Sequence, residues 1–209
     1  MQDIRHVTVI FLSQTGGRIV LLDDIRSLIV ANMLAYFNDL EGSFCLRINR
    51  LSHRVWLRQF FSVVSRLGNG GFWAIVALLI FMLQGPQALP LLLQTGLSAL
   101  AGVLVYTFLK RRLVRERPYI NIGDIQCGAA PLDRYSFPSG HTLHAVSFTI
   151  MYTHIEPALV VVLLPFALLV AASRIILGLH YPSDVVVGAA IGAALANISI
   201  ALMPLIQAA

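Results

Sequence analysis

The sequence predicts an all-α protein: a polytopic transmembrane helix bundle of five to six spans, with interfacial helices near the N-terminus. Three observations carry that prediction. The 209 residues are 57% hydrophobic and only 12% charged, with a mean hydropathy of +0.78. A soluble domain carries about 25% charged residues, so this chain lacks the polar side chains to face water on all sides. The apolar residues are gathered into runs of membrane-crossing length with no polar linker between them. Polar residues instead collect in three blocks at the ends of such runs.

The elements follow in chain order. Ser27 to Phe37 is apolar but short, bounded by Asp23, Asp24 and Arg26 before it and by Asn38, Asp39 and Glu41 after it. It reads as a short sixth span or as a helix lying in the interface. Arg47 to Arg66 interleaves arginines with Leu51, Val55, Trp56, Leu57, Phe60, Phe61, Val63 and Val64. That pattern predicts an amphipathic surface helix with Trp56 at headgroup level. Leu67-Gly68-Asn69-Gly70-Gly71 breaks it. Five spans then follow, at about Gly71–Gln84, Ala88–Leu109, His141–Thr153, Pro157–Leu179 and Pro182–Leu202. The expected organisation is one domain overall, with residues 1–70 as an N-terminal region and 71–209 as the transmembrane core.

The remaining composition narrows the chemistry. A net charge of +5 and a pI near 9.7 suit an anionic substrate or anionic lipid headgroups. Two cysteines, Cys45 and Cys127, predict neither a disulfide framework nor a metal site. The N-terminus lacks the pattern of a cleavable signal peptide.

The first polar block is Lys110 with Arg117-Pro118; Lys110 is the only lysine in a chain with 14 arginines. On a continuous helix the two cations would be nearly two turns apart on one face. A basic cluster at a helix end also reads as a snorkelling collar. The second block is Pro138-Ser139-Gly140-His141 before an apolar run. Ser139 suits an N-cap, Gly140 lets backbone approach a ligand closely, and helix-start N–H groups favour anions. An ordinary cap is the plain alternative. His141 in the first turn is placed to donate a proton to a leaving oxygen. His144, one turn on, reads as a packed histidine.

The third block is Ser173-Arg174, His180 and Asp184. Arg174 offers a bidentate fork for phosphate oxygens. Asp184, just inside a helix begun by Pro182, can turn back toward His180, fix its tautomer and leave the other ring nitrogen free as a nucleophile. Gly188, Gly192 and Ala196 continue that helix face with small residues, which marks it as a packed interior. With five spans counted from Gly71, all three blocks fall on one side of the membrane. Two histidines, three cations and a carboxylate at one face are the inventory for phosphoryl transfer.

These blocks resemble the type 2 phosphatidic acid phosphatase family, which also includes glucose-6-phosphatase and the vanadium haloperoxidases. The family pattern K-x6-RP, PSGH and SR-x5-H-x3-D is matched at Lys110, Arg117, Pro118, Pro138, Ser139, Gly140, His141, Ser173, Arg174, His180 and Asp184. The resemblance implies a metal-independent hydrolase of lipid phosphates or diphosphates that works through a phosphohistidine. It gives His180 the role of nucleophile, Asp184 that of its support, and His141 that of acid and then base. Lys110, Arg117, Ser139, Gly140 and Arg174 would hold the phosphate. Phosphatidic acid, phosphatidylglycerol phosphate and undecaprenyl diphosphate are the candidate substrates. No cofactor and no nucleic-acid partner are expected, only a lipid phosphate and the bilayer.

A lipid phosphotransferase and a non-catalytic binder or transporter of anionic lipid are the rival readings. The expected location is the cell (inner) membrane, multi-pass. If Ser27 to Phe37 does not cross, the arginine distribution would place the site in the cytoplasm, whereas bacterial relatives more often face the periplasm; the periplasmic face is preferred, because catalytic cations serve phosphate and not topology.

Overall fold

The computed structural model describes residues 39–131 and 133–207. The Ser27–Phe37 segment lies outside them. The chain divides into two compact units, Met1–Glu41 and Gly42–Ala209, and the elements below belong to the second. Residues 42–49 are helical and run into a 3-10 turn, Arg50–His53. Then come α1 (Val55–Leu67), α2 (Gly71–Gln84), α3 (Leu89–Leu113), α4 (Gly140–Ile155), α5 (Val160–Ile176) and α6 (Pro182–Gln207). Among the described residues there is no sheet, only an isolated bridge between Glu116 and Tyr135. The protein is an all-α polytopic bundle.

Helices α2 to α6 correspond one to one with the five expected spans. Among the described residues, three runs are by length and composition sufficient to cross a membrane, Gly71–Leu113, Pro157–Ile176 and Pro182–Leu202; α4 is shorter and is not one of them. The first contains α2, a 3-10 turn at Gly85–Ala88, and α3. The single amphipathic helix expected over Arg47–Arg66 is instead two pieces. Arg54 adopts an extended conformation and separates the 3-10 turn from α1. Val55, Trp56, Phe60 and Val63 of α1 stay exposed, while Val64 and Ser65 turn inward against α5.

The packing is that of a bundle whose solvent is lipid. Helix α3 buries Gln94, Thr95, Ser98, Gly102 and Lys110, and exposes Leu93, Leu97, Leu100, Leu104 and Phe108. A helix in water would do the reverse. In hydrocarbon, leucine gains little by turning inward, whereas polar groups need protein partners and small residues let helices approach. Helix α4 is the centre of the bundle, packed on α3, α5 and above all α6.

The α4–α6 contact is close because Gly188 and Gly192 lie directly against the backbone of α4, at the carbonyls of Ser139 and Leu143. Ala196 continues that face and is fully buried. On the other side, Trp73 of α2 stacks on Phe148 of α4 at 5.3 Å and meets Phe166 of α5 edge-on. The Trp73 indole donates to the Gly68 carbonyl, and the Tyr152 hydroxyl donates to the Trp73 carbonyl, so both buried polar tips are satisfied. The His144 ring stacks on Phe148, which stacks on Tyr152, giving an aromatic column along α4 that ends near the polar blocks.

Candidate active site

A cavity of about 320 Å3 opens where these elements meet. Lys110, Arg117, Arg174, Gly140, His141 and His180 all line it. Residues far apart in the chain, from all three polar blocks, therefore reach one space. Ala99, Val103, Tyr106 and Phe148 give it an apolar wall between α3 and α4.

Helix α3 stops sooner than a continuous helix through Arg117 requires. Val114 takes left-handed backbone angles (φ 39°), and the chain leaves α3 before Arg117, which is extended. Lys110 and Arg117 thus do not share a helix face. They meet because the chain bends: both grip the carboxylate of Asp133. Lys110 Nζ lies 2.7 and 2.9 Å from its two oxygens, and Arg117 Nη2 lies 3.0 Å from Oδ1. Burial pushes the Asp133 carboxyl up, but the Lys110 hydrogen bond and the charges of Lys110 and Arg117 outweigh it and hold the group below the ordinary carboxylate range.

His180 sits in the tight turn between α5 and α6, with only 1% of its surface exposed. The Arg174 carbonyl accepts the backbone N–H groups of both Leu179 and His180 at 3.0 Å. Gly178 makes that turn possible with a φ of 72°, where a side chain would strike Ile125 and the Gln126 carbonyl. Asn49 braces the turn from outside, donating to the carbonyls of Ile176 and Gln126 and accepting from the Gln126 N–H. His180 Nε2 is 3.2 Å from Arg117 Nη1. A guanidinium only donates, so Nε2 must present its lone pair and the ring proton belongs on Nδ1. Burial first, then the charges of Arg174, Arg117 and Lys110, hold the His180 imidazole well below its ordinary value. It is a neutral base with its free lone pair toward the cations.

Asp184 does not make the direct hydrogen bond to His180 that the sequence suggested. Its Oδ2 is 3.6 Å from Nδ1, beyond hydrogen-bond reach. The carboxylate is fully buried and takes other partners: the Tyr181 N–H at 2.8 Å and Arg115 Nη1 at 2.7 Å. Arg115 also donates to the Ser183 hydroxyl and lies 4.0 Å from the centre of the Tyr181 ring. Sequence reasoning placed Arg115 in a basic collar; its role as the counter-charge of Asp184 had no local signal. Removing one partner of a buried ion pair costs about 3 kcal/mol or more. Arg115→Met should therefore lower the melting temperature in detergent and slow turnover together, while Arg115→Lys restores part of both.

Ser139 occupies the N-cap position of α4 and is fully buried. Its N–H donates to the Asp184 carbonyl, its carbonyl accepts from Leu143, and its hydroxyl pairs with Thr142. Gly140 stands at the cavity wall beside His141. Arg174, 3% exposed, donates to the Ser65 hydroxyl of α1. His144 also lines the cavity, edge-on to Tyr106. Asp133, which the sequence did not single out, is the carboxylate nearest the cations. Among the described residues, no three His, Cys, Asp or Glu side chains gather into a group that could hold a metal ion.

The chain is similar in sequence and fold to several known phosphatases. Decaprenylphosphoryl-5-phosphoribose phosphatase of Mycobacterium tuberculosis is 38% identical over 130 residues, which cover 58% of this chain and 66% of that protein. Lipid A 1-phosphatase of Rhizobium johnstonii is 33% identical over 96 residues, 43% of this chain and 38% of that protein. The chain thus spans less than two thirds of the length of these curated relatives. The crystal structure of Aquifex aeolicus LpxE superposes with a TM-score of 0.62 at 30% identity, covering 76% of this chain and 93% of that one. The first transmembrane PAP2 type phosphatidylglycerolphosphate phosphatase from Bacillus subtilis has the same fold, with a TM-score of 0.58 at 22% identity over 82% of this chain and 94% of that one. A family model described as the PAP2 superfamily matches residues 91–207, and this chain belongs to that superfamily.

Proposed function

We propose that this protein is an integral-membrane lipid phosphate phosphatase that releases a terminal phosphate through a phosphohistidine intermediate. The observation that carries the proposal is the convergence of His141, His180, Lys110, Arg117 and Arg174 on one cavity that also has an apolar wall of Ala99, Val103, Tyr106 and Phe148. Such a cavity suits a phosphate head on an oily tail.

The chemistry follows from the residues. Lys110, Arg117 and Arg174 take the phosphate oxygens, joined by the Gly140 N–H at the start of α4; the Ser139 hydroxyl joins them by leaving its pairing with Thr142. When Arg117 turns to the phosphate, His180 Nε2 is released and attacks phosphorus in line. The bond to the leaving oxygen breaks, and His141 gives that oxygen its proton. His141 then takes a proton from water, whose oxygen attacks the phosphohistidine and releases orthophosphate. The cations stabilise the charge on the equatorial oxygens in both steps. Asp184, held by Arg115 and the Tyr181 N–H, supports the positive charge that develops on His180. Protein cations do this work in place of a metal, so a chelator should leave the rate unaltered.

The two curated relatives are named as phosphatases of decaprenylphosphoryl-5-phosphoribose and of lipid A; phosphatidic acid, phosphatidylglycerol phosphate and undecaprenyl diphosphate are the further candidates here. The test is orthophosphate release by the purified protein from a panel of these lipids, with vanadate as inhibitor. No release from any member would sink the proposal; transfer to an added alcohol without release would make the protein a phosphotransferase. We place the site on the periplasmic face of the cell membrane. Cys127 is exposed in the loop before α4, whereas Cys45 is buried. Labelling of Cys127 by an impermeant maleimide in intact cells tests that sidedness, and protection until the cells are opened would reverse it.

A further inference from the structure

A cationic pocket at the edge of a bilayer faces a problem of competition. Phosphodiester headgroups surround it in great excess, and each carries one negative charge. A phosphate monoester, the group to be hydrolysed, carries close to two. Lys110 and Arg117, left bare, would bind both.

They are not bare. Asp133 occupies them with three contacts of 2.7 to 3.0 Å, as a two-oxygen anion in the position proposed for substrate oxygens. Its side chain is 39% exposed, so it has solvent to turn into. Its backbone is held by bonds that do not involve the carboxylate. Arg117 Nε donates to the Asp133 carbonyl at 2.9 Å. The next residues are tied down by the Arg134–Glu116 ion pair at 2.6 Å and the Ser136 N–H bond to the Arg115 carbonyl at 2.7 Å. The carboxylate can therefore leave by a side-chain rotation while the loop stays in place.

We propose that Asp133 is a specificity-determining residue of this pocket: an internal monoanion that reserves Lys110 and Arg117 for phosphate monoesters and turns away monoanionic phosphodiester headgroups. The inference rests on the phosphatase reading of the site. A tethered group competes at an effective concentration on the order of millimolar or above. A diester brings no more charge than Asp133 and gains nothing by the exchange. A monoester dianion brings about twice the attraction toward the same two cations and displaces it. Asp133 is thus a gate set by charge, acting through Lys110 and Arg117 and not on the reacting atoms.

The test uses the full chain in neutral detergent micelles, with p-nitrophenyl phosphate as monoester and phosphatidylglycerol added as diester. For the unaltered protein, phosphatidylglycerol should leave KM within about twofold, because the diester does not displace the resident carboxylate. Asp133→Asn frees the cations. Its KM without phosphatidylglycerol should fall severalfold, and added phosphatidylglycerol should raise it about tenfold in a competitive pattern. Asp133→Glu keeps the charge and should resist the lipid like the parent. A purely structural role predicts no such split between the two variants.

An Asp133→Asn protein that resists phosphatidylglycerol as well as the parent does, or whose KM rises without the lipid, overturns the inference while leaving the phosphatase reading intact. Failure of the unaltered protein to hydrolyse any monoester overturns both. Should Asp133→Asn not fold, Asp133→Ser reads the same inhibition.

Discussion

His180→Ala is expected to abolish phosphate release, with a loss of at least about 10^4-fold. The size follows from the geometry. His180 is the histidine whose Nε2 lone pair lies among the cations, 3.2 Å from Arg117. Its burial and the neighbouring charges keep it neutral, so the attacking form is the resting form. His141 lines the same cavity from α4 but has no hydrogen bond to Arg117 among those described, and His144 is stacked against Phe148. The variant should also fail to trap labelled phosphate on the protein after an acid-free quench.

His141→Ala should behave differently. General acid catalysis contributes about 10^2 to 10^4-fold, and the need for it falls as the leaving group improves. Its defect should be large for a lipid alcohol and smaller for p-nitrophenol. Normal turnover by His180→Ala would end the nucleophile assignment; an equal defect on both leaving groups in His141→Ala would end the acid assignment.

The second large effect is structural. At Gly192 an added methyl would sit 2.2 Å from the Leu143 carbonyl oxygen, and at Gly188 it would sit 2.5 Å from that of Ser139. Backbone cannot yield as a flexible side chain does, so α6 must move away from α4. Overpacking typically costs about 1–3 kcal/mol, and a clash with backbone belongs at the upper end. Gly192→Ala should lower the melting temperature sharply and remove activity, because α4 carries His141 and Gly140 while α6 carries Asp184. Gly96→Ala is the control. It lies on the exposed side of α3 with nothing within 4 Å, and alanine there should be neutral or stabilising by about 0.5–1 kcal/mol. Similar losses for both changes would show that helix propensity, not close approach, governs the effect.

Much of this arrangement was legible before any coordinates. Apolar run length located α2 to α6, since lipid makes each long segment declare itself. Small residues at four-residue steps marked the inner face of α6, which indeed meets α4. The three polar blocks stood out because charge is rare in such a chain, and Lys110, Arg117, Gly140, His141, Arg174 and His180 from them line one cavity, whereas Ser139 and Asp184 are buried behind it. Three features were not legible. The break at Arg54 reflects an extended residue in a stretch whose periodicity reads as unbroken helix. Val114 ends α3 in a left-handed conformation unusual for a β-branched residue, so no glycine announced it. Asp133 and Arg115 acquire their partners only through tertiary folding, and neither spacing nor composition separates them from surface charges. The spacing of four brings Asp184 Oδ2 to 3.6 Å from His180 Nδ1 but does not fix which donors the carboxylate takes, and those are the Tyr181 N–H and Arg115.

Asn49 and Ser65 carry a consequence for any attempt to transplant this catalytic machinery. Every polar block lies after Gly71, which invites a graft of the later helices onto another scaffold. Yet the turn that presents His180, the proposed nucleophile, hangs on an amide forty residues before Lys110's helix begins, and one of the two arginines lining the cavity is steadied by a hydroxyl on α1. A chimaera joined at Gly71 would inherit the reagents without the jig that holds them.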